Sequence, residues 1–300
     1  MDKPQDDQAP QSSNNNEPLP GIFALTPMNP AFNDNPHVIL DRLRTECPVH
    51  RDTTAGTFLL TRYEDVRGVV GDRSMWRSPI HAEEGAVIQR ALVNQKINGM
   101  VDELGGGGSG ILLLDDPDHG RIRGPLQKAF YKRVAVCKPL VQRVVDETLD
   151  AIGGKKQFDV MAEFALKVPI DAIARILGVD NARLAEFRTW SEGVILVLNP
   201  FRSEEETKEL VVCGNALSHY MAGLLAEKRK HPQDDLVTDM VKLKDEGADL
   251  TDGEISTNLQ GLLIGGNLTN TDLIGKAIWL LLTHPQELAK LKADLWLINS

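Results

Sequence analysis

Cysteine is scarce in this chain: three residues in 300, at 47, 137 and 213, an odd count without clustered spacing. That excludes a disulfide framework or a zinc site and fits a reducing compartment. No apolar run is long enough to span a bilayer, and Met1 to Pro20 lacks the apolar centre of a signal peptide. A cytoplasmic protein without a membrane segment is expected. Positive charge is in deficit, with 33 Lys and Arg against 43 Asp and Glu and a formal net charge of -10, which argues against general nucleic-acid binding. The four glycines Gly105 to Gly108 are followed by no Lys-Ser or Lys-Thr, so they read as a flexible loop and not a phosphate cradle. No Glu-x-x-His pair occurs, which removes a di-iron helical bundle. What is plentiful is apolar residue content, 42% of the chain, enough at this length for a substantial core.

Residues 1–28 are read as a disordered tail, rich in Asp, Gln, Asn, Ser and Pro, and residues 29–300 as one domain. Pro36 to Glu46 predicts a short helix. Val49-His-Arg and Thr57 to Thr61, flanking Ala55-Gly56, predict a hairpin, and Glu64 to Val70 returns to helix. One short helical run, Ala86 to Val93, interrupts a long variable region. From Val141 onward the pattern is almost wholly helical: Val141 to Ile152, Val160 to Leu177, Ala182 to Leu198, Glu204 to Lys228, Leu236 to Lys244 and Gly261 to Leu282.

The last of these carries Gly265, Gly266, Thr269, Asn270 and Thr271 in its middle, a cluster that forfeits roughly 3 kcal/mol of helix preference. Missing side chains at Gly265 and Gly266 admit a flat or small ligand to the backbone. The Thr269 hydroxyl, four residues on, is placed to bond the Gly265 carbonyl and open the ladder into a small groove. A second constellation is Asp115-Asp116-Pro117-Asp118-His119-Gly120-Arg121-Ile122-Arg123, where Asp116 suits an N-cap and Pro117 the first helical position. His119 and Arg123 share one face while Arg121 points about 200° away from His119. Two potential cations near a helix N-terminus oppose the macrodipole, and an anion held between them resolves the conflict. Gly124-Pro125, two turns in, predicts a kink that does not end the helix.

Both constellations resemble the cytochrome P-450 family of heme-thiolate monooxygenases. Gly265-Gly266-Asn267-Leu268-Thr269-Asn270 is similar to the oxygen groove of the family's long central helix, with Leu268 where an acid is usual and Asp272 one turn further along. The 116–123 stretch resembles the segment that holds the heme propionates. Phe158 to Met161, Pro169 to Gly178, Asp234 to Leu236 and Leu280 to Pro285 also resemble family segments. The resemblance implies a mainly α P-450 fold with a small N-terminal β-hairpin. It implies heme as cofactor, Thr269 as the catalytic residue with Gly265, Gly266 and Asn270 forming the oxygen groove, and His119 and Arg123 as cofactor-binding residues. A small organic substrate and a ferredoxin-type electron donor follow as partners. The donor reading draws on seven basic residues against one acid between Pro117 and Arg143. No nucleic acid or membrane is implied.

The family's Glu-x-x-Arg helix and Gly-rich cysteine loop have no counterpart here. Residues 29–300 are therefore read as an incomplete domain lacking roughly the last quarter of an ordinary member. Glu64 to Arg67 is a chance surface pair, Cys47 a small turn residue, and Cys137 and Cys213 core filler. No metal ligand is assigned, and the 300 residues taken alone are expected to be inactive. The alternative is a non-catalytic helical remnant that binds a small apolar ligand or a partner.

Overall fold

The computed structural model describes residues 18–26, 28–72, 74–92, 110–199 and 201–299. Most of the expected tail and the four-glycine loop lie outside the described residues. The chain divides into two compact units, Met1–Met75 with Glu83–Val87, and Trp76–Ala82 with Ile88–Ser300.

In the first unit a 3-10 turn at Ile22–Leu25, within the stretch read as tail, precedes α1 (Pro30–Asp34) and α2 (Pro36–Glu46). Each helix opens on an Asn cap followed by Pro. Asn29 accepts from the Ala31 N–H at 3.2 Å and Asn35 from the His37 N–H at 3.1 Å, the pattern that starts a helix most cheaply. The predicted hairpin is present as antiparallel β1 (Val49–Asp52) and β2 (Thr57–Leu60), with Asp52 opposite Thr57. Gly56 turns the chain at φ +60, a conformation open to glycine. Asp52 is 4% exposed and ties the unit together, accepting from the Ile22 N–H at 2.7 Å, the Thr54 N–H at 2.9 Å and the Thr54 hydroxyl at 2.5 Å. Burial alone raises its carboxyl pKa, but the Thr54 hydroxyl and the N–H groups of Ile22, Thr54 and Ala55 outweigh that and hold it below the ordinary 3.8. Helix α3 (Tyr63–Gly71) follows.

Helix α4 (Val87–Leu92) leads into the larger unit. There α5 (Asp118–Val134), α6 (Lys138–Ile152), α7 (Lys167–Leu177), α8 (Leu184–Ile195), α9 (Glu204–Lys230), α10 (Leu236–Asp245), α11 (Asp252–Thr283) and α12 (Pro285–Ala293) follow in order. One apolar core joins Ile122 and Leu126 of α5, Ile173 and Leu177 of α7, Leu217 and Met221 of α9, and Leu259 and Leu263 of α11.

Three expected boundaries differ. Helix α5 starts at Asp118, not at Pro117, and the Asp116 carboxylate accepts from the Gly120 N–H at 3.0 Å; the helix then runs through Pro125 to Val134. The predicted Val160–Leu177 helix is divided by a wider π turn at Met161–Ala165, where the Leu166 N–H reaches back to the Met161 carbonyl and Asp159 caps Met161 and Ala162. Helix α11 begins nine residues before Gly261, because Thr251 and Glu254 form a reciprocal capping box that launches it through buried Ser256 and Asn258.

Lys228 of α9 and Asp235, which caps α10 through the Thr238 N–H, form an ion pair at 2.7 Å with side chains 3% and 4% exposed. Gly178 ends α7 at φ +83, and a Cβ there lies 2.2 Å from the Asp235 Cγ. One carboxylate thus fixes the ends of three helices.

Asp52→Ala should destabilise the first unit by about 2–4 kcal/mol, since it leaves buried donors unmatched. Because the folded carboxyl titrates below its ordinary value, this stabilisation is fully present above about pH 4 and is lost as pH falls through the folded value. Urea melts of both proteins at pH 7 and pH 3 check it; a gap as large at pH 3 as at pH 7 rules out the ionised carboxylate as its source.

Candidate functional site

At about 100° per residue, α11 presents two distinct faces. Leu263, Asn267 and Thr271 lie on the buried one, and Gly261, Gly265, Thr269, Asp272 and Lys276 lie on the other, all exposed. The two central glycines separate on this basis. A Cβ on Gly266 falls 2.9 Å from Ile173 Cγ1 of α7, so that glycine permits a close helix crossing. A Cβ on Gly265, or on Gly261, meets nothing within 4 Å. Gly265 is the glycine that keeps the open face clear.

The expected bond from the Thr269 hydroxyl to the Gly265 carbonyl is present at 2.5 Å, and the Asn270 amide donates to the Gly266 carbonyl at 3.0 Å. Both bonds draw polar side chains back onto the helix, which runs without interruption through Thr283. The expected opening of the ladder into a groove does not occur, because the α-helical turns continue through this stretch. No carboxylate of α11 lies nearer Thr269 in sequence than Asp272, three residues on and roughly 60° around the axis.

Helix α5 packs chiefly against α10 and is tied to the first turn of α11 through Arg121. Arg121 donates to Glu254 at 2.5 Å and to the Asp249 carbonyl at 2.8 Å, and the Ile111 N–H donates to Asn258 Oδ1 at 2.9 Å. From Asn258 to Gly265 is about 10 Å along the axis. The Glu254 carboxylate raises the Arg121 pKa well beyond its already high ordinary value, with Asp118 adding to it. Arg133 is held in the same way by Asp239, then Asp234. Arg123 differs: its only partner among the described residues is the neutral Gln127 at 3.3 Å, and no carboxylate reaches it. His119 lies 3.8 Å from Asp116 and is half-buried. The sequence spacing puts Arg121 and Arg123 on different faces of α5, and of the two only Arg121 is paired with acids among the described residues.

One residue escaped the sequence reading. Arg188 of α8 donates to Asn267 Oδ1 at 3.2 Å and Thr271 Oγ1 at 3.4 Å, on the buried side of α11. An arginine four residues before Glu192 looks like a surface pair in sequence, and only the helix crossing reveals its second set of partners.

The thiols stay apart from this site. Cys213 is buried against Gly193, and burial, reinforced by Glu209, raises its pKa. Cys137 precedes α6 and is only half-buried, a helix-end residue and not core filler. Cys47 ends α2. Among the described residues no group of His, Cys, Asp and Glu could hold a metal ion, and no helix is long and apolar enough to cross a membrane.

This arrangement of helices recurs in solved structures. A myxobacterial cytochrome P450, CYP267B1, in complex with myristic acid superposes with a TM-score of 0.77 at 26% identity, over 90% of this chain and 66% of that one. In sequence, cytochrome P450 107B1 of Saccharopolyspora erythraea is 31% identical over 92% of this chain and 65% of its own length. This chain belongs to the cytochrome P450 family. The epothilone C/D epoxidase of Sorangium cellulosum is another P450 relative, 29% identical over 95% of this chain and 67% of its own. No family model matches the chain. The chain spans about two thirds of the length of these P450 relatives, 65% of the first.

Heme is the cofactor of this family of monooxygenases. Two features here are chemically suited to such a group: an uncompensated guanidinium and an imidazole on α5 suit carboxylates, and the unobstructed glycine face on α11 suits a flat ring. They do not include a thiolate placed for its iron.

Gly265→Ala should keep or raise stability, by up to about 1 kcal/mol, because alanine is the better helix former in an open position. Gly266→Ala should be less stable than Gly265→Ala by about 1–3 kcal/mol, since Ile173 must move within the core. Thermal melts of the two variants decide this, and the reverse order of stability refutes the division of the two glycines.

Proposed function

We propose that this chain supplies the oxygen-facing wall and the propionate clamp of a heme monooxygenase that inserts one atom of dioxygen into an organic substrate. The observation that carries the reading is the open α11 face, where Gly265 lacks a side chain and nothing stands within 4 Å of its Cβ position. Heme, when bound, supplies the redox chemistry that activates dioxygen. His119 and Arg123 hold its carboxylates by charge-assisted hydrogen bonds, the strong kind in a partly desolvated site. Gly265 admits the flat ring. The Thr269 hydroxyl donates to the Gly265 carbonyl, so its oxygen keeps acceptor capacity and can hold a water on the open face. Asp272, on the same face, takes the place of the acid that Leu268 lacks and passes protons toward that water.

A ferredoxin-type donor is the electron source in this proposal. Its support is the exposed set Lys128, Lys132, Lys138 and Arg143. Arg121 and Arg133 do not contribute, because their charge is consumed by acids within the fold. The same reading places the protein in the cytoplasm, consistent with the scarcity of cysteine.

None of Cys47, Cys137 and Cys213 is placed to serve as the thiolate. We therefore infer that a polypeptide of these 300 residues by itself does not oxygenate. A second reading, a helical protein that binds a small apolar ligand or a partner, draws on the exposure of Leu273, Trp279, Leu282 and Trp296. Apolar surface on that scale calls for cover.

Heme titration separates the roles on α5. His119→Ala with Arg123→Ala should weaken heme affinity at least tenfold, on the order of 1.4 kcal/mol or more. Arg121→Ala should lower stability with a smaller effect on heme. Unchanged heme affinity in the double variant removes the propionate assignment and leaves the second reading. Reduced with carbon monoxide, the heme-reconstituted chain should show no thiolate-type band; the appearance of that band overturns the inference on the cysteines.

A further inference from the structure

A cavity of about 540 Å³ lies among α6, the π turn, α7 and α8, away from the open α11 face. Arg188, which lines it, bonds Asn267 and Thr271 on the buried side of α11. Those two residues point about 160° away from Gly265 and Thr269. The body of α11 therefore separates the cavity from the candidate heme face. Its volume is that of a small-molecule site, typically about 300–1,000 Å³.

The wall is mainly carbon, from Ala151, Ala162, Leu166, Ile170, Leu184 and Ala185. Thr148, whose hydroxyl donates to the Val144 carbonyl, and four charged residues complete it, and the hydrogen-bonding capacity of the charged groups is unequally spent. Asp171 accepts both Arg175 Nε at 2.7 Å and Nη2 at 2.9 Å, and Glu147 accepts the same Nη2 at 2.8 Å. Arg175 is raised in pKa by Asp171 first and Glu147 second; Asp171 is engaged through both oxygens, with Asn181 adding to it, and Glu147 through Oε2 alone. The cations keep spare donors, although Arg188 is paired with Glu192. Lys167 has no hydrogen-bond or ion-pair partner among the described residues, and Arg188 uses Nε on Glu192 and Nη1 on neutral groups, with Nη2 unused. Behind Arg188, Asn267 is fully buried and its amide nitrogen has no partner. The spare donors, Lys167 Nζ and Arg188 Nη2, stand against one unengaged carboxylate oxygen, Glu147 Oε1, and the Thr148 hydroxyl oxygen, so donor capacity predominates beside an apolar wall.

We propose that this cavity binds a small amphiphilic carboxylate, with its chain against the alanine and leucine wall and its carboxylate at Lys167 and Arg188. The site does not use heme and stands apart from the monooxygenase reading. A charge-assisted bond to Arg188 replaces donor capacity now left to water.

Calorimetric titration of the full chain with decanoate, decanol and decyltrimethylammonium, all below aggregation, tests the proposal. Decanoate should bind one to one and at least tenfold more tightly than either of the others. Ala185→Trp, at an exposed position that fills the cavity, and Lys167→Gln, which removes the cation without adding an acid between Glu163 and Asp171, should each weaken decanoate at least tenfold. Both variants should melt like the parent and bind heme like the parent, and saturating heme should not displace decanoate. The proposal fails if decanoate does not saturate, if the cationic amphiphile binds equally well, if both variants leave binding unchanged, or if heme competes for the same site.

Discussion

The rest of the larger unit depends on how closely α7 approaches α11. Gly266 lets Ile173 sit where a side chain would otherwise stand, and Gly275 does the same for Met161 of the π turn, whose sulfur lies 2.2 Å from the Cβ position. Those two contacts flank the buried arc of α11 and set its rotation about its own axis. Rotation is what matters for the site. A turn of one residue, about 100°, would bring Gly266 to the open face in place of Gly265 and bury Thr269. A packing constraint on one side of the helix therefore determines which chemistry the other side can present.

Electrostatics divides the basic residues of α5 in a comparable way. Arg121 and Arg133 are structural: each links α5 to acids on neighbouring elements and each is held firmly in its charged form. Arg123 and His119 carry no such obligation. The local excess of positive charge read from the sequence is thus partly internal bookkeeping between helices, and the remainder is what faces the solvent or a ligand.

Much of this was legible in the residues. Helices α2 and α10 were visible within a residue or so because Asn35 before Pro36 and Asp235 before Leu236 are strong local start signals. The bond from Thr269 to Gly265 follows from a four-residue spacing. What was not legible needed tertiary contacts. The division at Met161–Ala165 coincides with Met161 lying against Gly275, and α11 starts well before Gly261 through Ser256 and Asn258, polar residues whose burial no local pattern signals. Arg188 was opaque for the same reason. Nor does any local pattern tell Gly265 from Gly266, since the distinction lies entirely in which neighbour each would strike.

Asp235 makes a final point about how this architecture can vary. Its carboxylate pairs with Lys228, caps α10 and occupies the space where any side chain at Gly178 would project. The C-terminal end of α7 is consequently a fixed datum, a surveyor's peg against which the other helices are measured. Drift in this fold can enlarge or close the space beside α7 by exchanging side chains on α6 and α8, which are not pegged there. It cannot do so by sliding α7 itself without first giving up a buried ion pair.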